Sequence, residues 1–225
     1  MTANPSFDVG AASCIVIRHA DLMPQAWRNG GGITREIATH PPGAAVDDFE
    51  WRVSIADITK PGAFSTFPEV DRSLTVIEGD AMVLAETAHA NGQHHLLHRW
   101  DTLRFAGETG ITSALPTGPT RDFNLMWRRG AVTGQVDVLR LAADLRIAPG
   151  SAVFFAATGS HCLGAARLDA GDTLILRDIK TATPLTFEPI DADAVLICAR
   201  ITVTTATATV STSSRPLPQT DRGVA

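Results

Sequence analysis

Asp71-Arg72-Ser73-Leu74-Thr75-Val76-Ile77-Glu78-Gly79-Asp80-Ala81-Met82-Val83-Leu84-Ala85 reads as two short strands around a Gly-Asp turn. β-Branched and apolar residues fill both runs, and a glycine supplies the positive φ of a tight turn. The same habit runs along the chain. Helical periodicity is scarce, and turn residues interrupt every apolar run, which predicts an all-β sandwich or barrel. Strands are predicted at 14–18, 32–39, 49–58, 73–78, 81–85, 94–97, 102–105 and 111–115. A second series falls at 134–142, 152–157, 161–168, 173–177, 185–189 and 194–203. One short helix is expected over Met23–Trp27, with Pro24 in its first turn and the following glycines ending it.

Size and charge narrow the function classes. The 225 residues suit one large domain or two small ones, and the chain needs no disulfide or metal to bury a core. With 19 basic and 24 acidic residues the net charge is −5, which argues against nucleic acid and against a membrane surface. Cys14, Cys162 and Cys198 are far apart and form no CxxC pair, so each is read as a small apolar residue. No signal peptide and no long apolar run are visible, and a cytoplasmic protein is the default expectation.

An internal echo divides the chain. His98-Arg99-Trp100-Asp101-Thr102-Leu103 aligns with Asp169-Ala170-Gly171-Asp172-Thr173-Leu174, 71 residues on. The expected division is a first barrel over residues 1–130, a smaller second barrel over 131–203 and a flexible tail over 204–225.

The strand at Trp51 is where chemistry enters. Alternation puts Trp51, Val53 and Ile55 on one face and Arg52, Ser54 and Ala56 on the other. The polar face either meets water or lines a barrel lumen, where Arg52 would offer a planar fork to a carboxylate. The run Leu74 to Asp80 looks like the strand and turn that close a first cupin motif. That motif carries His-x-His and then a Glu, and here those positions hold Thr66, Pro68 and Arg72. None of these ligates a transition metal in the usual way, so no metal or other cofactor is expected, and Arg72 favours an anion. His94, His95 and His98 are read as part of a solvated hairpin around Ala90-Asn91-Gly92. No nucleophilic triad or phosphate loop is present.

The stretch Trp27-Arg28-Asn29-Gly30-Gly31-Gly32-Ile33-Thr34-Arg35-Glu36-Ile37 reads either as a surface loop with polar flanks or as the wall of a site. Its glycines would let backbone N–H groups approach a ligand. Taken with Phe49 to Ala56, Gly62 to Gly79 and Asp122-Phe123-Asn124-Leu125-Met126-Trp127-Arg128-Arg129-Gly130, it resembles the HutD/Ves family. The resemblance implies a bicupin, two RmlC-like jelly-roll (cupin) barrels packed in one compact unit without a conventional metal site. HutD members are tied to histidine utilisation and are thought to bind an acidic intermediate such as N-formylglutamate or urocanate. The Ves branch is tied to stress. By family motif, the ligand-binding set is Trp27, Asn29, Thr34, Glu36, Arg52, Ser54, Ser65, Phe67 and Arg72. Asp122, Asn124 and Met126 would support it by holding the glycine-rich segment, while Trp51 and Phe64 read as core aromatics. Three readings stay open: a regulatory protein that binds a small carboxylate, a metal-independent isomerase or hydrolase with Glu36 as base, and a scaffold or homodimer built on sheet edges.

Overall fold

The computed structural model describes residues 13–87 and 92–204. In chain order its strands are β1 (Ser13–Ile17), β2 (Pro24–Ala26), β3 (Gly32–His40), β4 (Trp51–Ile58), β5 (Gly62–Ala63), β6 (Val70–Glu78), β7 (Ala81–Glu86), β8 (His94–His98), β9 (Thr102–Ala106) and β10 (Ile111–Ala114). They continue as β11 (Thr120–Arg128), β12 (Val132–Leu139), β13 (Ala143–Ile147), β14 (Gly150–Thr158), β15 (His161–Leu163), β16 (Ala166–Leu168), β17 (Thr173–Ile179), β18 (Thr183–Pro189) and β19 (Val195–Val203). A single-turn 3-10 segment, His19–Asp21, accompanies them, and no helix among the described residues is long and apolar enough to cross a membrane.

Four sheets enclose three apolar layers. A six-stranded sheet, β2-β3-β4-β11-β6-β9, faces the small sheet β5-β10-β7-β8 across Ile58, Leu74, Val76, Met82 and Leu84. A five-stranded sheet, β1-β17-β14-β19-β12, faces β13-β18-β15-β16 across Phe154, Leu174, Leu176 and Phe187. Between the two large sheets lies a third layer, with Trp51, Val53, Phe123 and Trp127 from one and Val153, Phe155, Ile175 and Ile197 from the other. Large sheets buried on both sides need apolar residues at successive positions, and Leu174-Ile175-Leu176 and Phe154-Phe155 supply them. The predicted alternation at Trp51 is explained by this layering. Its apolar face meets the second sheet, and Arg52 and Ser54 turn into the first barrel.

The echo is the same turn built twice. Trp100 N–H donates to the Val76 carbonyl and Gly171 N–H to the Ala156 carbonyl, each at 2.7 Å. Asp101 Oδ2 accepts from His98 N–H at 2.9 Å, and Asp172 Oδ2 accepts from Asp169 N–H at 3.2 Å. Both turns need a left-handed residue, with φ 79° at Trp100 and 90° at Gly171. The first barrel therefore holds a bulky residue where the second uses glycine.

Several expectations are corrected. The segment expected as a helix over Met23–Trp27 contains strand β2, which pairs Pro24 with Arg35 and Ala26 with Ile33. Pro24 opens an edge strand, where its missing N–H leaves no ladder bond unmade. The run 161–168 divides into β15 and β16, with Gly164 at φ 53° between them. β11 was not among the predicted strands because Asp122 and Asn124 sit in its middle and both are poor strand formers. β1 pairs with β17, so the second half's large sheet draws its edge strand from the N-terminus, outside residues 131–203. Residues 90 and 91 of the expected turn, and the tail beyond residue 204, lie outside the described residues; β7 and β8 on either side of that turn pair antiparallel.

Phe123 and Phe155 stack across the middle layer with ring centroids 5.8 Å apart. Replacing Phe155 by Ala should destabilise the protein by about 3–5 kcal/mol. Because both barrels share this layer, calorimetry should show one unfolding transition shifted down. Two separated transitions would mean that the barrels fold independently.

Candidate functional site

The inner face of the first large sheet changes character along its strands. At one end Ala56, Ile58, Leu74 and Val76 pack against the small sheet. Toward the other end the same face carries Arg52 and Arg72, while Ser54 and Asn124 stand midway and Asp122 lies between Ala56 and Val76; a cavity of about 380 Å³ opens along this row. β4, β11 and β6 run side by side, with Ser54 opposite Asn124, Asn124 opposite Leu74, and Met126 between Arg52 and Arg72. That register converges side chains far apart in sequence on one floor.

Arg72 is the centre of that floor. Its guanidinium carbon lies 5.2, 5.8 and 5.1 Å from the ring centroids of Phe64, Phe67 and Phe105. Arg72 donates to the Ser65 carbonyl at 3.4 Å and to Asn124 Oδ1 at 3.1 Å, while its buried Nε has no partner. Burial lowers its pKa to about 10, an effect opposed by Asp122 and reinforced by Arg52, so it stays charged at neutral pH.

Asn124 passes the interaction on. Its amide donates to Asp122 Oδ1, while Asp122 Oδ2 is buried without a partner. Asp122 is wholly buried, and burial raises its carboxyl to about pH 7, against the pull of Arg72 and with a push from Asp57. Asp57 sits across the sheet. Burial would raise it too, but hydrogen bonds from Arg121 and Arg35 outweigh that and hold it low. Arg52 donates from Nε to Glu36 Oε2 at 2.9 Å, and among the described residues its two terminal amino groups make no hydrogen bond.

The glycine-rich stretch is the turn between β2 and β3. Gly30 takes φ 65°, and a Cβ on Gly32 would stand 2.4 Å from the Asp57 carbonyl oxygen and 3.2 Å from the Trp27 ring. Trp27 is thereby laid over its own turn and donates from Nε1 to Thr34 Oγ1 at 2.8 Å. The N–H groups of Gly30 and Gly31 bond the Trp27 carbonyl and Asn29 Oδ1, so the expectation that they face a ligand is corrected. Side chains form the wall instead.

Of the expected binding set, Trp27, Asn29, Thr34, Arg52, Ser54, Ser65, Phe67 and Arg72 line the cavity, and Glu36 is joined to it through Arg52. Asp122, Asn124 and Met126 line it as well. Their expected role of holding the glycine-rich segment is corrected: Gly31 is held by Thr59 and Lys60, and Asn124 links Arg72 to Asp122. Trp51 is a core aromatic as expected, whereas Phe64 both packs on the core and lines the cavity. Arg28 at the rim was missed; nothing but its place in the glycine-rich stretch marked it. The cavity brings three arginines, Arg28, Arg52 and Arg72, against the single carboxyl of Asp122, a donor set that does not fit a divalent cation. Among the described residues no group of three or more His, Cys, Asp or Glu is placed to hold a metal.

The second barrel has no such floor. The matched turns make Ala156 the counterpart of Val76, and counting along the paired strands puts Ala152, Leu196 and Cys198 at the places of Arg72, Asp122 and Asn124. All three belong to the apolar layer inside that barrel, and burial pushes the Cys198 thiol up to about 12.

Fold and site together define a bicupin whose first barrel carries an arginine-lined cavity. The chain belongs to the HutD family, whose profile matches residues 19–195. It is 42% identical over 113 residues to an uncharacterised 21.2 kDa protein from the region 3′ of hutC in Pseudomonas putida. It is equally 42% identical over 113 residues to the protein Ves of Citrobacter koseri. These matches cover 50% of this chain and 57% and 56% of those two proteins. Among solved structures, HutD from Pseudomonas fluorescens SBW25 (formate condition) superposes with TM-score 0.77 at 25% identity over 86% of this chain and all of that one. An oxalate decarboxylase from Lactobacillus farciminis, at TM-score 0.60, 11% identity and 87% and 88% coverage of the two chains, shares the fold alone.

Two predictions follow from the floor. Folding raises the pKa of Asp122 above its ordinary 3.8 to about 7. Its contribution to stability is therefore full below about pH 4 and lost as pH rises through about 7. Asp122→Asn should remove that loss, so thermal melts at pH 6 and 8 should show the wild type falling relative to the variant. Each kcal/mol lowers the melting temperature by about 2–4 °C. Arg72→Met leaves Asp122 uncompensated and should destabilise the protein by about 3–5 kcal/mol at pH 8. Adding Asp122→Asn should recover much of that in denaturant titrations.

Proposed function

We propose that the cavity binds a small carboxylate metabolite and that the chain acts as a metal-independent regulatory binding protein of histidine utilisation. The observation that carries this is Arg72, a buried cation with an unpartnered Nε in the cavity wall. A carboxylate is the planar acceptor that a guanidinium fork matches, and an apolar cage strengthens the contact by excluding water. Arg52 adds two terminal amino groups at the same floor, and Ser54 and Asn29 offer neutral hydrogen-bond partners. A cavity of about 380 Å³ suits a small metabolite. The names of the relatives support the setting: one lies beside hutC, and one HutD structure was determined in a formate condition. An acidic intermediate such as N-formylglutamate or urocanate fits this chemistry.

The ion pair of Glu36 with Arg52 supports a part in orienting that arginine over a part as a general base.

Isothermal titration with N-formylglutamate and with urocanate tests the proposal. Saturable binding to the folded protein is expected. Arg52→Ala should weaken it by about 2–5 kcal/mol, as truncating one partner of a buried charge pair does. Glu36→Gln should weaken it less, because Glu36 only orients the arginine. No binding of either compound at millimolar concentration would overturn the reading.

A further inference from the structure

We propose that the cavity takes up a carboxylate together with one proton, which Asp122 holds. The inference rests on the carboxylate-binding reading above and adds how the site is regulated. Asp122 has no exposed surface and forms part of the cavity wall. One of its oxygens is committed to the Asn124 amide and the other has no partner. The charge of Arg72 is the nearest compensation for an ionised Asp122, relayed through Asn124.

A ligand carboxylate on Arg72 claims that same charge. Two carboxylates would then share one buried cation, and like charges this close in a water-poor cavity do not both stay ionised. The other charged groups do not relieve the conflict. From β4, Arg52 offers its terminal amino groups to the ligand, but its charge is offset by Glu36 of β3, so the pair adds no net positive charge for Asp122; Arg28, on the turn before β3, is exposed at the rim. Behind the sheet, Asp57 of β4 adds negative charge, although Arg35 of β3 and Arg121 of β11 hold it. β5 and the segment after it bring only Ala63, Phe64, Ser65 and Phe67 to the cavity, none of them titratable.

A proton on Asp122 resolves the conflict by removing one of the two negative charges. The balance is ligand carboxylate plus ionised Asp122 plus one solvent proton, giving a carboxylate on Arg72 beside a neutral Asp122 carboxyl. No bond to carbon forms or breaks. Burial already holds this carboxyl near neutrality, so the proton is within reach at physiological pH. Asp122 becomes a specificity-determining residue: it admits a carboxylate readily in acid and resists it in base.

The intact chain is titrated calorimetrically with N-formylglutamate at about pH 8 in HEPES and in Tris, whose ionisation heats differ, and at about pH 6 in MES and in bis-Tris. At pH 8 the heats should differ between buffers by an amount that corresponds to uptake of nearly one proton, and at pH 6 the difference should almost vanish. Affinity should fall about tenfold per pH unit above 7. Asp122→Asn should bind with an affinity that no longer changes with pH and with no buffer dependence. Saturable binding with buffer-independent heat at pH 8 overturns the coupling and leaves the binding reading intact. Absence of binding at both pH values overturns both. The wild-type buffer series decides the matter even if Asp122→Asn does not fold.

Discussion

A guanidinium buried among three phenyl rings must find its compensation inside the protein. Arg72 finds it in Asp122, which it reaches only through the amide of Asn124. That relay fixes much else. It requires β4, β11 and β6 to be adjacent and in one register, so that residues 52, 72 and 122–126 share a floor. It keeps one arginine nitrogen and one carboxyl oxygen unpartnered, which is costly unless something else arrives to pair with them. Buried polar groups left in this condition mark a site better than they mark a stable core.

The two barrels show what that floor replaces. They share a turn down to its individual hydrogen bonds, yet at three matched positions one holds Arg72, Asp122 and Asn124 and the other Ala152, Leu196 and Cys198. The second set closes into an apolar layer, and the first opens a cavity. The apolar layer between the large sheets provides burial common to both halves, and the first barrel carries the polar floor.

Much of this was legible in the residues. Alternation at Trp51 to Ala56 identified the two faces, and the Asp-Thr-Leu echo marked a real repeat. Arg72 was found by counting back from Gly79 to a place where a carboxylate is usual. The failures have physical causes. Asp122 and Asn124 disguised a central strand, since propensity penalises the residues a polar floor requires. Pro24 before three glycines imitates a helix start and stop, but tertiary pairing with β3 took the segment into the sheet. Asp122 read as a supporting residue because its importance depends on complete burial and on the charge of Arg72, and neither is visible before the strands are placed side by side.

The most direct test of the carboxylate site is a crystal structure of the chain grown with N-formylglutamate. It should place a carboxylate oxygen within hydrogen-bond distance of the Arg72 guanidinium, with the ligand in the first barrel between Trp27 and Phe67. A ligand bound elsewhere, out of reach of that guanidinium, would contradict it.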